Sequence, residues 1–320
     1  MLNTLLVTIV FISFSFLFSI EKVSFLSANP FSFRDIILNL DNQQEQEVFG
    51  ILTLPKGIKD SDKIPLIIGV AGSLGWSEHH YEYLKMYQEM GIATFELNSF
   101  KSRGVKSTVG SQTEVTTAMM ILDAYRALET LSNHPNIDIN KVGLTGWSLG
   151  GGVTLFSGWK PLKESIAIDL NFSARLAFYP ACFAIPDKID FIDIPTHILI
   201  GELDTWTPAD ACVEFENIMK KNDYNFNVTV YDNSYHSFDR NSSVTIKENA
   251  YSFTDCRFTI RDDGAVLMNF LDIPMATPLL QKIGLSCCAE RGPKFGGNPV
   301  SRQEAISFSR EFMAKHLLSE

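Results

Sequence analysis

An α/β architecture, a mostly parallel central sheet flanked by helices, is predicted by three observations. From residue 64 onward, short apolar runs of strand character alternate with segments of helical period. One such run, residues 142–145, leads into Gly146-Trp147-Ser148-Leu149-Gly150, a glycine-flanked serine at a strand-to-helix turn. Two later strand-like runs are followed by loops carrying Asp204 and then His236. Active-site groups in open α/β sheets lie beyond the carboxyl ends of the strands, so these three loops share one edge.

Taken in order, the N-terminal stretch is the exception to the soluble composition. Residues 5–20 are almost wholly apolar, which suits a secretory leader, although no Lys or Arg precedes them. Residues 1–28 are therefore read as a signal peptide or an N-terminal anchor, and 29–320 as one domain. Residues 33–40 and 47–54 read as strands of an antiparallel hairpin across a polar link. Residues 66–70 form a continuous apolar run, as expected of a central strand buried on both faces, and end in Ala71-Gly72-Ser73-Leu74-Gly75.

Ser77 is placed to cap a helix that carries Tyr83, Leu84, Tyr87 and Met90 on one face and stops at Gly91. Residues 92–97 are the next strand, and Val115, Ala118, Leu122, Tyr125, Leu128 and Leu131 mark the helix before the Ser148 turn. Residues 175–179 and 197–201 are further strands, with a helix over 209–222. The alternating 226–231 fits an edge strand. Residues 241–297, rich in Gly and Pro, read as a late irregular insertion before a last helix opened by Ser301-Arg302-Gln303-Glu304.

Five cysteines suit an oxidising compartment. Cys182 and Cys212 follow successive strands and are expected to pair; Cys256 is expected to pair with Cys287 or Cys288. A net charge of −10 without any Lys/Arg run argues against nucleic acid as a partner. No CxxC or HExxH suggests a metal, and no cofactor is implied.

The chemistry follows from the residue types. A serine hydroxyl attacks efficiently only if a base takes its proton, and an imidazole does so when a carboxylate fixes its tautomer. Ser148 is the candidate nucleophile, His236 the base and Asp204 the orienting carboxylate, preferred over Glu202 and Asp239 for its place in the loop. The other histidines have plainer readings: His79 and His80 at an exposed helix start, His134 in a turn, His197 in a strand, His316 in the last helix. Oxyanion donors are expected at the Leu149 N–H and at the Ser73 N–H, with Leu74 as second choice.

The order Ser, Asp, His is that of α/β-hydrolases. With GSLGW, NSFKSRGV (98–105), GWSLGGG, FYPAC (178–182), GELDTWTPADAC, YHSFD and a late GGNP, residues 64–316 resemble the dienelactone hydrolase-related branch of that superfamily. The resemblance implies an α/β-hydrolase fold with Ser148, Asp204 and His236 as triad. Ala71 departs from the histidine usual in the oxyanion turn, Asn98 from the aspartate often found there, and Ser148 from the cysteine nucleophile of dienelactone hydrolase itself. Lactone specificity is therefore not carried over. Arg103, which matches a recurrent arginine of these relatives, is a candidate to meet a substrate carboxylate or to form a structural ion pair; Trp147 and Trp206 are further candidates for substrate contact.

The expected activity is that of an exported serine hydrolase, secreted or periplasmic, which cleaves a small-molecule carboxylic ester through an acyl-enzyme. A membrane enters only if the N-terminal segment is an uncleaved anchor. A peptidase of prolyl-oligopeptidase type and a non-catalytic hydrolase-fold binding module are the alternatives.

Overall fold

The computed structural model describes residues 19–59, 61–166 and 169–319. An eight-stranded sheet runs through it in the order β1 (Ser19–Ala28), β2 (Glu45–Leu54), β4 (Ala93–Leu97), β3 (Ile64–Val70), β5 (Ile137–Trp147), β6 (Ala174–Phe178), β8 (Thr196–Gly201) and β9 (Phe226–Tyr231). β4 to β9 along this order are parallel, while β1 and β2 are added antiparallel at one edge. β3 lies between β4 and β5, so the chain order reverses there and opens a crevice above the loops that follow β3 and β5. β9 is the other edge, as its alternation predicts.

The N-terminal expectations need two corrections. Residues 19–28, assigned above to the leader, are instead the first strand, paired with β2 along its whole length from Ser19 opposite Leu54 to Ala28 opposite Glu45. The remainder of that leader, residues 1–18, lies outside the described residues. Residues 33–40 were expected as a strand, but α1 (Phe33–Asn39) is a helix. Ser32 and Asp35 form a reciprocal capping box, and Phe33 and Ile36, three apart, share the buried face. The apolar Ile36-Ile37-Leu38 imitates a strand only when that cap is overlooked.

Helices α2 (Glu78–Glu89), α3 (Ser99–Ser102), α4 (Thr117–Leu131), α5 (Leu149–Phe156), α6 (Lys160–Ile166) and α7 (Ala209–Lys221) link the strands. In α4 the apolar face predicted from the sequence is buried and Thr116 caps its first turn. The late segment is an ordered layer. Its strand Phe258–Ile260 pairs with β7 (Ala184–Pro186) and with Val266–Leu267; Tyr251–Ser252 pairs with Glu290–Arg291, and Thr245–Ile246 with Lys294–Phe295. Helix α8 (Pro278–Ser286) belongs to it, and α9 (Pro299–Met313) follows. Disulfides join Cys182 to Cys212 and Cys256 to Cys288, leaving Cys287 free and exposed. Among the described residues no helix is long and apolar enough to cross a membrane.

Candidate active site

Ser148 sits between β5 and α5 with φ of 56° and ψ of −113°, a left-handed conformation that an L-residue adopts only when its surroundings compel it. The flanking glycines permit the compression: a Cβ on Gly146 would run into the Gly150 carbonyl. The turn after β3 leans on this elbow, since a Cβ on Gly72 would come 3.0 Å from the Trp147 carbonyl oxygen and 3.3 Å from Ser148 Cβ. No protein acceptor is found for the N–H of Ser73 or Leu149 among the described residues, and both residues line the cavity beside Ser148.

Ser148, His236 and Asp204 come together. Ser148 Oγ lies 2.9 Å from His236 Nε2, and His236 Nδ1 lies 2.7 Å from Asp204 Oδ2. The imidazole and the carboxylate are almost wholly buried. Asp204 is held by its other oxygen, which accepts the Trp206 and Thr207 N–H groups at 2.9 Å each. The Thr207 hydroxyl is 3.1 Å from both Asp204 Oδ2 and His236 Nδ1. Trp206 stacks on the imidazole at 4.8 Å, and Tyr179 meets it edge-on at 4.7 Å. From below, the chain returning from the insertion fixes the histidine backbone: the Gly296 N–H donates to the His236 carbonyl at 2.9 Å. The sequence carries Thr207 and Tyr179 within TWTP and FYPAC, but nothing in their spacing gives them away.

Arg103 faces no cavity: its guanidinium grips Asp123 with both forks (2.7 and 3.0 Å) and also reaches Asn29, Ala28 and Ser99. It is the structural ion pair, saturated on every side. Arg103→Met is expected to cost about 3–5 kcal/mol by stranding the buried Asp123 carboxylate, measurable as a lowered denaturation midpoint. The kcat/KM of the folded fraction should stay unchanged.

Trp147 is wholly buried and donates its indole N–H to Asp239 at 3.2 Å, which anchors the elbow, and the residue borders the small cleft that Ser148 and His236 also line. Trp206 does line the cavity beside Ser148. His79 and His80, expected to be exposed, are buried. His80 accepts the Ser77 N–H as part of the α2 cap and stacks on Trp147 at 4.5 Å.

Asp239 centres a second buried cluster. Its carboxylate accepts the Tyr179 hydroxyl at 2.9 Å as well as the Trp147 indole. His79 approaches it to 3.8 Å, but burial, with Arg240 and Arg302 adding to it, lowers the His79 pKa to about 2, so this pair is not ionic. Burial raises Asp239 to about 6. The folded state thus binds a proton between pH ~4 and ~6 that the unfolded chain has released, and the stability this proton confers is lost as pH rises through that window. The Tm of the wild type relative to Asp239→Asn should therefore fall from pH 4 to pH 7, by the equivalent of about 3 kcal/mol. A constant difference would show that Asp239 does not titrate there.

The model of the dienelactone hydrolase family matches residues 95–256, a span containing Ser148, Asp204 and His236. Among solved structures, a dienelactone hydrolase-like promiscuous phosphotriesterase from metagenomic libraries is 12% identical; 93% of this chain and 98% of that one are covered, with a TM-score of 0.53. A structure named m3DLH is 13% identical, with 93% and 99% covered and a TM-score of 0.57. At those identities the likeness is one of fold. No curated protein sequence matches the chain. On the family match, together with the eight-stranded sheet and its serine elbow, the chain belongs to the dienelactone hydrolase family and is a hydrolase acting on ester bonds.

Proposed function

We propose that the protein is an exported serine hydrolase that cleaves a carboxylic ester through an acyl-enzyme, with Ser148, His236 and Asp204 as its triad. The observation that carries this reading is the unbroken chain from Ser148 Oγ to His236 at 2.9 Å and from His236 to Asp204 at 2.7 Å. His236 takes the Ser148 proton as Oγ attacks the ester carbonyl carbon, and Asp204 stabilises the resulting imidazolium. The oxyanion forms beside the Leu149 and Ser73 N–H groups, backed by the positive end of α5. Collapse breaks the bond to the alkoxy oxygen, which leaves with the proton from His236. Water, deprotonated by the same imidazole, then attacks the acyl carbon, releases the acid and returns the proton to Ser148.

Two disulfides in a chain of this size support a destination outside the reducing cytoplasm. A denaturing, non-reducing thiol titration should then find a single free thiol per chain, that of Cys287. For the chemistry, a fluorophosphonate probe should label Ser148 and no other serine, located by peptide mass spectrometry and absent from Ser148→Ala. A folded protein that takes no label would argue for the non-catalytic binding module instead.

A further inference from the structure

The elbow continues into three consecutive glycines, and they do different things. A Cβ on Gly150 would strike the Val70 carbonyl, and one on Gly151 would lie 2.5 Å from the Phe178 carbonyl oxygen, so both are needed for α5 to lie against β3 and β6. Gly152 is different. A Cβ there would meet only Thr117 Cγ2 at 3.9 Å, and the residue has ordinary helical geometry. Neither packing nor backbone conformation calls for glycine at this position.

What Gly152 borders is space. A cavity of about 200 Å³ runs from Ser148, Leu149 and Ser73 past Gly152. Phe156 and Phe183 from the hydrolase body and Phe253, Phe258, Met275 and Leu285 from the insertion also line it. Among the described residues no charged side chain lines it; its polar side chains are those of Ser, Thr, Gln and Trp206. The insertion wall is pinned by the Cys256–Cys288 bridge.

His236 does not border this cavity. It lines instead a small cleft of about 20 Å³ that shares Ser148, Ser73 and Trp206 with the cavity, together with Arg240 and Phe295. Since His236 must protonate the departing oxygen, the alcohol leaves through the cleft, and the large cavity holds the acyl group.

We propose that Gly152 is a specificity-determining residue: by omitting a side chain it keeps open an uncharged acyl pocket, making esters of medium-chain, uncharged carboxylic acids the preferred substrates. A space of this size has room for an acyl chain of several carbons. This substrate class rests on the serine-hydrolase reading above.

The test is a series of p-nitrophenyl esters from acetate to laurate. The wild-type kcat/KM should peak near hexanoate, at least about tenfold above acetate. Gly152→Leu should lose at least about tenfold on hexanoate and keep acetate within about threefold, while Gly152→Ala, which has room for its methyl, should show a smaller loss on hexanoate. The mono-p-nitrophenyl ester of adipic acid, with a carboxylate at the far end of a chain of hexanoate length, should react at least about a hundredfold more slowly than hexanoate.

A parallel measurement needs no turnover: calorimetric binding of methyl hexanoate to Ser148→Ala, with and without Gly152→Leu or Gly152→Ala. If the wild type hydrolyses no ester but the leucine substitution still weakens this binding at least about tenfold, the triad assignment fails and the pocket stands. The proposal is overturned by a wild-type preference for acetate, or by affinity and chain-length profile that ignore Gly152→Leu. Should the leucine variant not fold, a Gly152→Ala protein identical to its parent in both measurements overturns it equally.

Discussion

Alanine at position 148 is expected to lower kcat on any ester the protein hydrolyses by roughly 10⁴- to 10⁶-fold, with the Tm within a few degrees of wild type. The loss is that large because the substitution removes the hydroxyl oxygen that lies 2.9 Å from the His236 imidazole, on a residue that lines the cavity together with Leu149 and Ser73. His236 and Asp204 are then left with no nucleophile to serve. Folding should suffer little. The backbone strain at Ser148 is imposed by the packing of β5 and α5 around it, and alanine tolerates a φ of 56° no worse than serine. Steady-state hydrolysis and thermal melts of both proteins check this; near-wild-type turnover would refute the mechanism.

The second large effect is expected of Asp204→Asn, a loss of about 10⁴-fold in kcat at neutral pH. In the wild type one carboxylate oxygen takes the Trp206 and Thr207 N–H groups, so the other faces His236 Nδ1 as an acceptor and keeps the imidazole proton there. An asparagine must keep its carbonyl on the two backbone donors. Its NH₂ then points at Nδ1, forces the proton onto Nε2, and presents Ser148 with a donor where it needs a base. Geometry survives and chemistry does not. Burst kinetics should show acylation slowed rather than substrate binding weakened. Full activity in this variant would transfer the orienting role to another carboxylate, for which Glu202 is poorly placed, since it accepts the Asn233 N–H instead.

Much of this was legible in the residues because it is local. The nucleophile turn, the strands around it, the Ser77 cap and the edge character of β9 are each encoded within a few positions of sequence. The order of Asp204 and His236 after their strands was enough to place both loops on one edge. The misreadings have physical origins. In β1 the charged Glu21 and Lys22 close the apolar run, and the strand is recognisable only through its pairing with β2, a contact between distant parts of the chain. In α1 three successive aliphatic residues outweighed a capping box that specified helix. His79 and His80 were read as an exposed helix start because their burial depends on α2 packing over the β5 and β6 strand ends, which no window of sequence shows. The acyl cavity is likewise assembled from segments spread over more than two hundred positions, from Phe31 to Leu285.

The Gly296 clamp on His236 also bears on when the protein can first act during its synthesis. A chain emerging from the ribosome carries nucleophile, carboxylate and base once His236 is made, yet the residues that hold that histidine in place, Phe295 and Gly296, come some sixty positions later. A nascent or prematurely ended chain would own all three reactive groups and lack the splint that aligns them. Alignment of the three groups therefore waits on the synthesis of residues 295 and 296.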